Sequence, residues 1–111
     1  MFHHPISGWA AALLLATLAA PAHAQSTAAD GAQTLGRNLA ATCANCHGTN
    51  GAARGEMKAI AGLPAEAIVG LMSGYKSGAI TGTIMHQIAK GYTDEQIKLI
   101  AAYLAAQPLK K

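Results

Sequence analysis

Cys43-Ala44-Asn45-Cys46-His47 constrains this 111-residue chain more than any other stretch. Two thiols three residues apart fall on one side of a helical turn, because positions i and i+3 are neighbours on a helix surface. Both can then form thioether bonds to the two vinyl groups of one macrocycle. His47 follows at once and can offer an imidazole nitrogen to the iron as its proximal ligand. A C-x-x-C-H run therefore reads as an attachment site for a c-type haem. The rival reading is a structural disulfide or a thiol redox pair, as in thioredoxin-like sites. Those sites belong to a βαβ pattern, which this sequence lacks, and they do not need the histidine.

The first 24 residues read as a leader rather than as part of the domain. Trp9 to Ala20 is an apolar run of twelve residues broken only by Thr17. That suits the apolar centre of a signal peptide and falls short of the roughly 20 residues a membrane span needs. Ala22-His23-Ala24 supplies the small-x-small cleavage signal, so Gln25 is the expected new N-terminus and the periplasm the expected location. The segment before the run has no Lys or Arg, only the terminal amine, His3 and His4, which leaves an uncleaved anchor as the alternative. The mature chain, 25–111, carries no integral membrane span by the same length criterion.

Both cysteines lie in the C-x-x-C-H run, and none remains to staple the fold. Residues 25–111 contain no Phe or Trp, and their aromatics are Tyr75, Tyr92 and Tyr103. A small exported domain usually needs a disulfide, a metal or another support. A covalently held porphyrin would supply the large apolar body that a core of Ala, Ile, Leu, Val and Met otherwise lacks. The formal charge of +3 comes with no Lys/Arg run and no aromatic platform, so nucleic acid is not an expected partner.

Along the chain, Asp30 is the expected cap of a first helix whose Leu35, Leu39, Cys43 and Cys46 share a face. Gly36 could admit a second helix at close range or could simply be tolerated. Gly48 to Gly62 reads as a glycine-punctuated loop that wraps one haem edge. Pro64 opens the next helix, with Ile68, Leu71, Met72 and Tyr75 as its stripe and Gly78 as its C-terminal stop. Thr83 to Lys90 is a short helix. Thr93-Asp94-Glu95-Gln96 caps the last one, which buries Ile97, Ile100, Ala101 and Leu104 and ends before Pro108.

The distal iron ligand decides what such a haem can do. A five-coordinate iron binds gases or reacts, whereas a six-coordinate one moves electrons. The candidates are Met57, Met72, Met85 and His86. Met57 lies ten residues after His47, too soon for the chain to reach the opposite face. Met72 sits in an apolar helical stripe, where methionine usually fills a core. Met85 lies in a separate segment that can cross to the distal side, and it fits best. His86 beside it would give bis-histidine ligation, although an exposed position on a short helix is its commoner fate. Arg54 and Tyr75 are candidates for contacts with the haem propionates. No nucleophile–base pair or substrate-activating metal cluster accompanies these residues, so the protein reads as a carrier rather than an enzyme.

With His47 and Met85 in these roles the chain resembles the class I cytochromes c. The resemblance rests on the helix leading into Cys43–His47, the ligand Met and the C-terminal helix with Tyr103. It implies an all-α fold wrapped around one covalent haem c, with the first and last helices crossing at Gly36 and the Tyr103–Leu104 region. The span Tyr75 to Ile97, with its K-S-G, T-I-M and I-A-K-G-Y elements, is similar to the haem subunit of flavocytochrome c sulfide dehydrogenase. That similarity maps the distal ligand onto Met85 and implies an FAD-containing sulfide dehydrogenase subunit as the electron-donating partner. Some relatives carry two haem domains, whereas one C-x-x-C-H run occurs here. The alternative is a free class I cytochrome that shuttles electrons between other redox proteins, ending at an oxidase or reductase.

Overall fold

A computed structural model describes Met1 and residues 23–109. Residues 2–22 of the expected leader lie outside the described residues. Every regular element among the described residues is helical. The order is α1 (His23–Ala40), a 3-10 turn (Ala41–Cys43), α2 (Ala44–His47), a second 3-10 turn (Thr49–Gly51), α3 (Ala65–Ser77), α4 (Met85–Ala89) and α5 (Asp94–Ala105). No described helix is long and apolar enough to cross a membrane.

Helix α1 crosses α5, and α3 packs on both α4 and α5. The crossing depends on Gly36. A Cβ at this position would stand 2.6 Å from the Leu99 carbonyl oxygen and 3.4 Å from the Tyr103 Cβ. The glycine thus lets two backbones touch, as the expected helix crossing requires. The contact stripe of α1 is Gly36 and Ala40, with Leu39 at its edge, and Cys43 in the following 3-10 turn continues it. Leu35, expected on that stripe, is 48 % exposed, because one residue rotates the side chain by about 100° around a helix. The expected cap at Asp30 is also corrected. Helix α1 already runs from His23, and Asp30 lies inside it. The Ala-rich stretch before Gly36 favours helix through propensity, without burial.

Helix α5 follows its sequence closely. Thr93 Oγ1 accepts from the Gln96 amide, and the Gln96 side chain accepts from the Thr93 amide. Ile97, Ile100, Ala101 and Leu104 are buried as expected. In α3, Pro64 is the N-cap rather than the first helical residue, and Gly78 closes the helix in the left-handed conformation. Ile68 and Met72 are buried and Tyr75 half-buried, whereas Leu71 at the edge of the stripe is 44 % exposed. Helix α4 is shorter than the expected Thr83–Lys90, because Ile84 has non-helical backbone angles (φ −135, ψ −26).

The core is small in the residues it uses. Buried alanines at 40, 53, 61, 89 and 101 alternate with Ile68, Met72, Ile97, Ile100 and Leu104. Ile84, Ile88 and Leu71, on or beside α4 and α3, remain exposed. These large aliphatic groups have not been covered by the polypeptide itself.

Two outcomes follow for stability. Gly36→Ala gains about 1 kcal/mol of helix propensity. It loses about 1–3 kcal/mol to overpacking against the Leu99 backbone, so its thermal midpoint should fall. Gly31→Ala, with open space around its Cβ, should raise the midpoint instead. A second outcome concerns acid. Lys76 Nζ donates to Asp94 Oδ1 at 2.8 Å, and this bond with the lysine charge holds the Asp94 carboxyl below its ordinary value of 3.8. A lowered carboxyl contributes stability above its unfolded value, and the contribution is lost as pH falls through the folded one. Denaturation of Asp94→Asn followed against pH should therefore show a flatter decline below pH 3.8. The difference should shrink with added salt, because the pair is exposed.

Candidate functional site

The crossing of α1 and α5 delivers the chain to Cys43, which ends the first 3-10 turn and packs against the core cluster. Helix α2 then carries Cys46 and His47 and stops at Gly48, whose φ of 78 and ψ of 164 no L side chain adopts readily. A Cβ on Gly48 would also meet the Ala52 carbonyl at 2.6 Å. The sharp exit turns the chain back beneath the histidine.

Both cysteines are free thiols, Cys43 half-buried and Cys46 exposed. Burial pushes the Cys43 thiol above its ordinary value, with the Thr42 hydroxyl and the backbone opposing in part. A thiol kept neutral by burial is the reverse of the acidified thiolate that disulfide oxidoreductases use.

His47 Nδ1 lies 2.7 Å from the Lys58 carbonyl oxygen. A carbonyl can only accept, so Nδ1 carries the proton. The neutral ring then presents a bare lone pair at Nε2, the state a metal ligand needs. No sequence signal marks Lys58, because the partner is a main-chain atom eleven residues away.

The loop that supplies this carbonyl is tied down. The Ile60 and Ala61 amides donate to the Gly51 carbonyl, and the Gly62 amide donates to the Leu104 carbonyl of α5. Tyr103 Oη donates to Asn50 Oδ1 at 2.6 Å. Thr42 Oγ1 donates to the Leu39 carbonyl, so its contact with Tyr92 Oη has the tyrosine as donor. The C-x-x-C-H segment is thereby fastened to the residues around both ends of α5. Sequence spacing did not flag the ties made by Tyr92 and Asn50, since long-range hydrogen bonds leave no periodic trace.

The four distal candidates occupy different surroundings. Met57 is 48 % exposed and adjoins Lys58, whose carbonyl bonds His47. Met72 is 7 % exposed and enclosed by the core cluster. Met85 begins α4, half-buried against that cluster. His86 is half-buried rather than exposed as expected, and its Nδ1 is sealed from solvent without a hydrogen-bond partner. Of the two propionate candidates, Arg54 is exposed and Tyr75 packs against the core cluster.

The donor set fits a c-type haem. Two unpaired thiols stand a helical turn apart, the adjacent imidazole has the tautomer a metal requires, and uncovered aliphatic groups lie on α3 and α4. A comparison with known proteins agrees. The sequence profile of the family described as Cytochrome c matches residues 28–107. The chain is 41 % identical over 71 residues to a cytochrome subunit of sulfide dehydrogenase from Chlorobaculum tepidum, covering 64 % of each chain. It is 34 % identical over 65 residues to a cytochrome c-553 from Desulfomicrobium norvegicum, covering 56 % of this chain and 81 % of that one. It is 37 % identical over 109 residues to a thiosulfate dehydrogenase electron acceptor from Stutzerimonas stutzeri, covering 96 % of this chain and 48 % of that protein. The matched stretch thus spans just under two thirds of the first relative and about half of the third. With its helical fold, its C-x-x-C-H turn and a profile match over most of its length, this chain belongs to the cytochrome c family.

Proposed function

We propose that residues 25–111, freed from the leader 1–24 in the periplasm, form a monohaem domain that carries one electron at a time. The observation that carries this reading is the contact from His47 Nδ1 to the Lys58 carbonyl, which leaves Nε2 bare beside two unpaired thiols. The haem, when bound, supplies one-electron chemistry at its iron. Cys43 and Cys46, both unpaired thiols, would hold it through thioether bonds. His47 is the proximal ligand, and the Lys58 carbonyl holds its ring orientation.

Met85 is the distal ligand. A thioether raises the potential relative to a second imidazole. The buried His86 Nδ1 argues against the imidazole. Ligation through Nε2 would place a proton on Nδ1, where no acceptor stands, at a cost of about 1–3 kcal/mol. His47 meets no such cost, because Lys58 accepts its proton.

The electron donor in this reading is an FAD-containing sulfide dehydrogenase subunit. The T-I-M and I-A-K-G-Y elements and the Chlorobaculum tepidum relative support it. A second reading, a free carrier serving other redox proteins, is favoured by the thiosulfate dehydrogenase electron acceptor, which aligns over 96 % of the chain. Purification from the native host separates them. A flavin-absorbing complex is expected for the first, and a flavin-free monomer would establish the second.

The ligand assignment has its own test in potentiometry. Met85→His should lower the midpoint potential by more than about 59 mV, a tenfold change in a one-electron equilibrium. Met72→Leu should leave the potential and the Met–iron absorption band in place. An unchanged band and potential in Met85→His would move the distal ligand to Met72.

A further inference from the structure

The segment that delivers Met85 has little regular structure of its own. Residues 79–84 lie between Gly78, where α3 ends, and α4, which begins at Met85. Two contacts fix the segment to α3. The Ile80 amide donates to the Gly74 carbonyl at 3.0 Å, and the Ile80 side chain fills the space a Cβ on Gly74 would occupy, 2.4 Å from Ile80 Cδ1. One residue beyond Gly74, the Tyr75 ring stands across Gly82. A Cβ on Gly82 would lie 2.9 Å from Tyr75 Cε1, 3.2 Å from Cδ1 and 3.6 Å from Met85 Cβ. The ring therefore meets the segment three residues before Met85, at a point that also touches Met85 itself. Tyr75 packs against the core cluster, and its neighbour Lys76 is bonded to Asp94 at the start of α5. The ring thus stands between the core cluster and the segment that leads to Met85.

We propose that Tyr75 is the positioning residue for the distal ligand: its ring, seated against the bare backbone of Gly82, sets how far the Met85 thioether reaches toward the iron. This rests on the reading of Met85 as that ligand. The edge of the Tyr75 ring does the positioning and its hydroxyl does not, because the atoms nearest Gly82 are the ring carbons Cδ1 and Cε1. Gly82 has no positive φ, so a side chain there is disfavoured by the ring and not by its own backbone. A wedge at Gly82 should therefore move the Met85 segment and raise the fraction of molecules in which the thioether is off the iron.

That fraction is measurable with added imidazole, which binds ferric iron only when the sixth position is free, so its apparent affinity scales with the free fraction. In the ferric holoprotein, Gly82→Val should raise imidazole affinity about tenfold or more and weaken the Met–iron absorption band. Tyr75→Leu, which removes the ring, should shift both in the same direction. Tyr75→Phe, which keeps the ring, should leave both unchanged. Gly36→Ala serves as the control for general destabilisation, since it lies at the α1–α5 crossing, and it should lower the thermal midpoint without raising imidazole affinity. Unaltered imidazole affinity in Gly82→Val and Tyr75→Leu, or an equal rise in Gly36→Ala, would overturn the proposal. Met85→Ala distinguishes the two levels. A Met–iron band that survives Met85→Ala would sink the ligand reading itself, whereas a band lost there and untouched by Gly82→Val would sink only the positioning role.

Discussion

The backbone contact of α1 with α5 at Gly36 is the constraint on which the rest of this small fold depends. It places the end of α1, and with it Cys43, against the core that α5 supplies. Helix α5 in turn anchors the loop after His47, through the Leu104 carbonyl to Gly62 and the Tyr103 hydroxyl to Asn50. That loop returns the Lys58 carbonyl to His47. A single close crossing therefore sets the position of both thiols and, through the loop, the tautomer and orientation of the imidazole.

The surroundings of His47 and of Met85 are built by different means. Around His47, hydrogen bonds to main-chain carbonyls dominate: Nδ1 to Lys58, the Ile60 and Ala61 amides to Gly51, and the Gly62 amide to Leu104 of α5. Around Met85, packing dominates: Ile80 in the gap left by Gly74, the Tyr75 ring on Gly82, and the core cluster to which Met72 belongs. The difference suits the roles proposed for the two side chains. An imidazole needs its proton placed, whereas a thioether has no proton and needs only to be held at the right depth. The two histidines show the same principle, since one has a carbonyl for its Nδ1 and the other has none.

Local signals in the sequence were read well where local chemistry determines structure. The Thr93–Gln96 capping box, the αL stop at Gly78 and the α5 stripe of Ile97, Ile100, Ala101 and Leu104 all appear as expected. Features that depend on tertiary context were not legible. Helix α1 begins before Asp30, because an Ala-rich segment can be helical without an apolar face to announce it. Leu35 and Leu71 are apolar yet exposed, since the true stripes are centred one residue away, on Gly36 and on Met72. The glycine at the centre of the α1 contact carries no hydropathy signal at all. His86 is half-buried despite its polarity, and the Lys58 carbonyl has no side-chain identity that a sequence could display.

An alanine-rich core with uncovered Leu71, Ile84 and Ile88 leaves this chain dependent on a body it does not encode. The most direct test is intact mass and a pyridine haemochrome spectrum on protein exported with the haem-attachment machinery present. One haem joined covalently through both Cys43 and Cys46, with no titratable thiol remaining, is the predicted result. A folded, colourless chain with two reactive thiols would contradict the account.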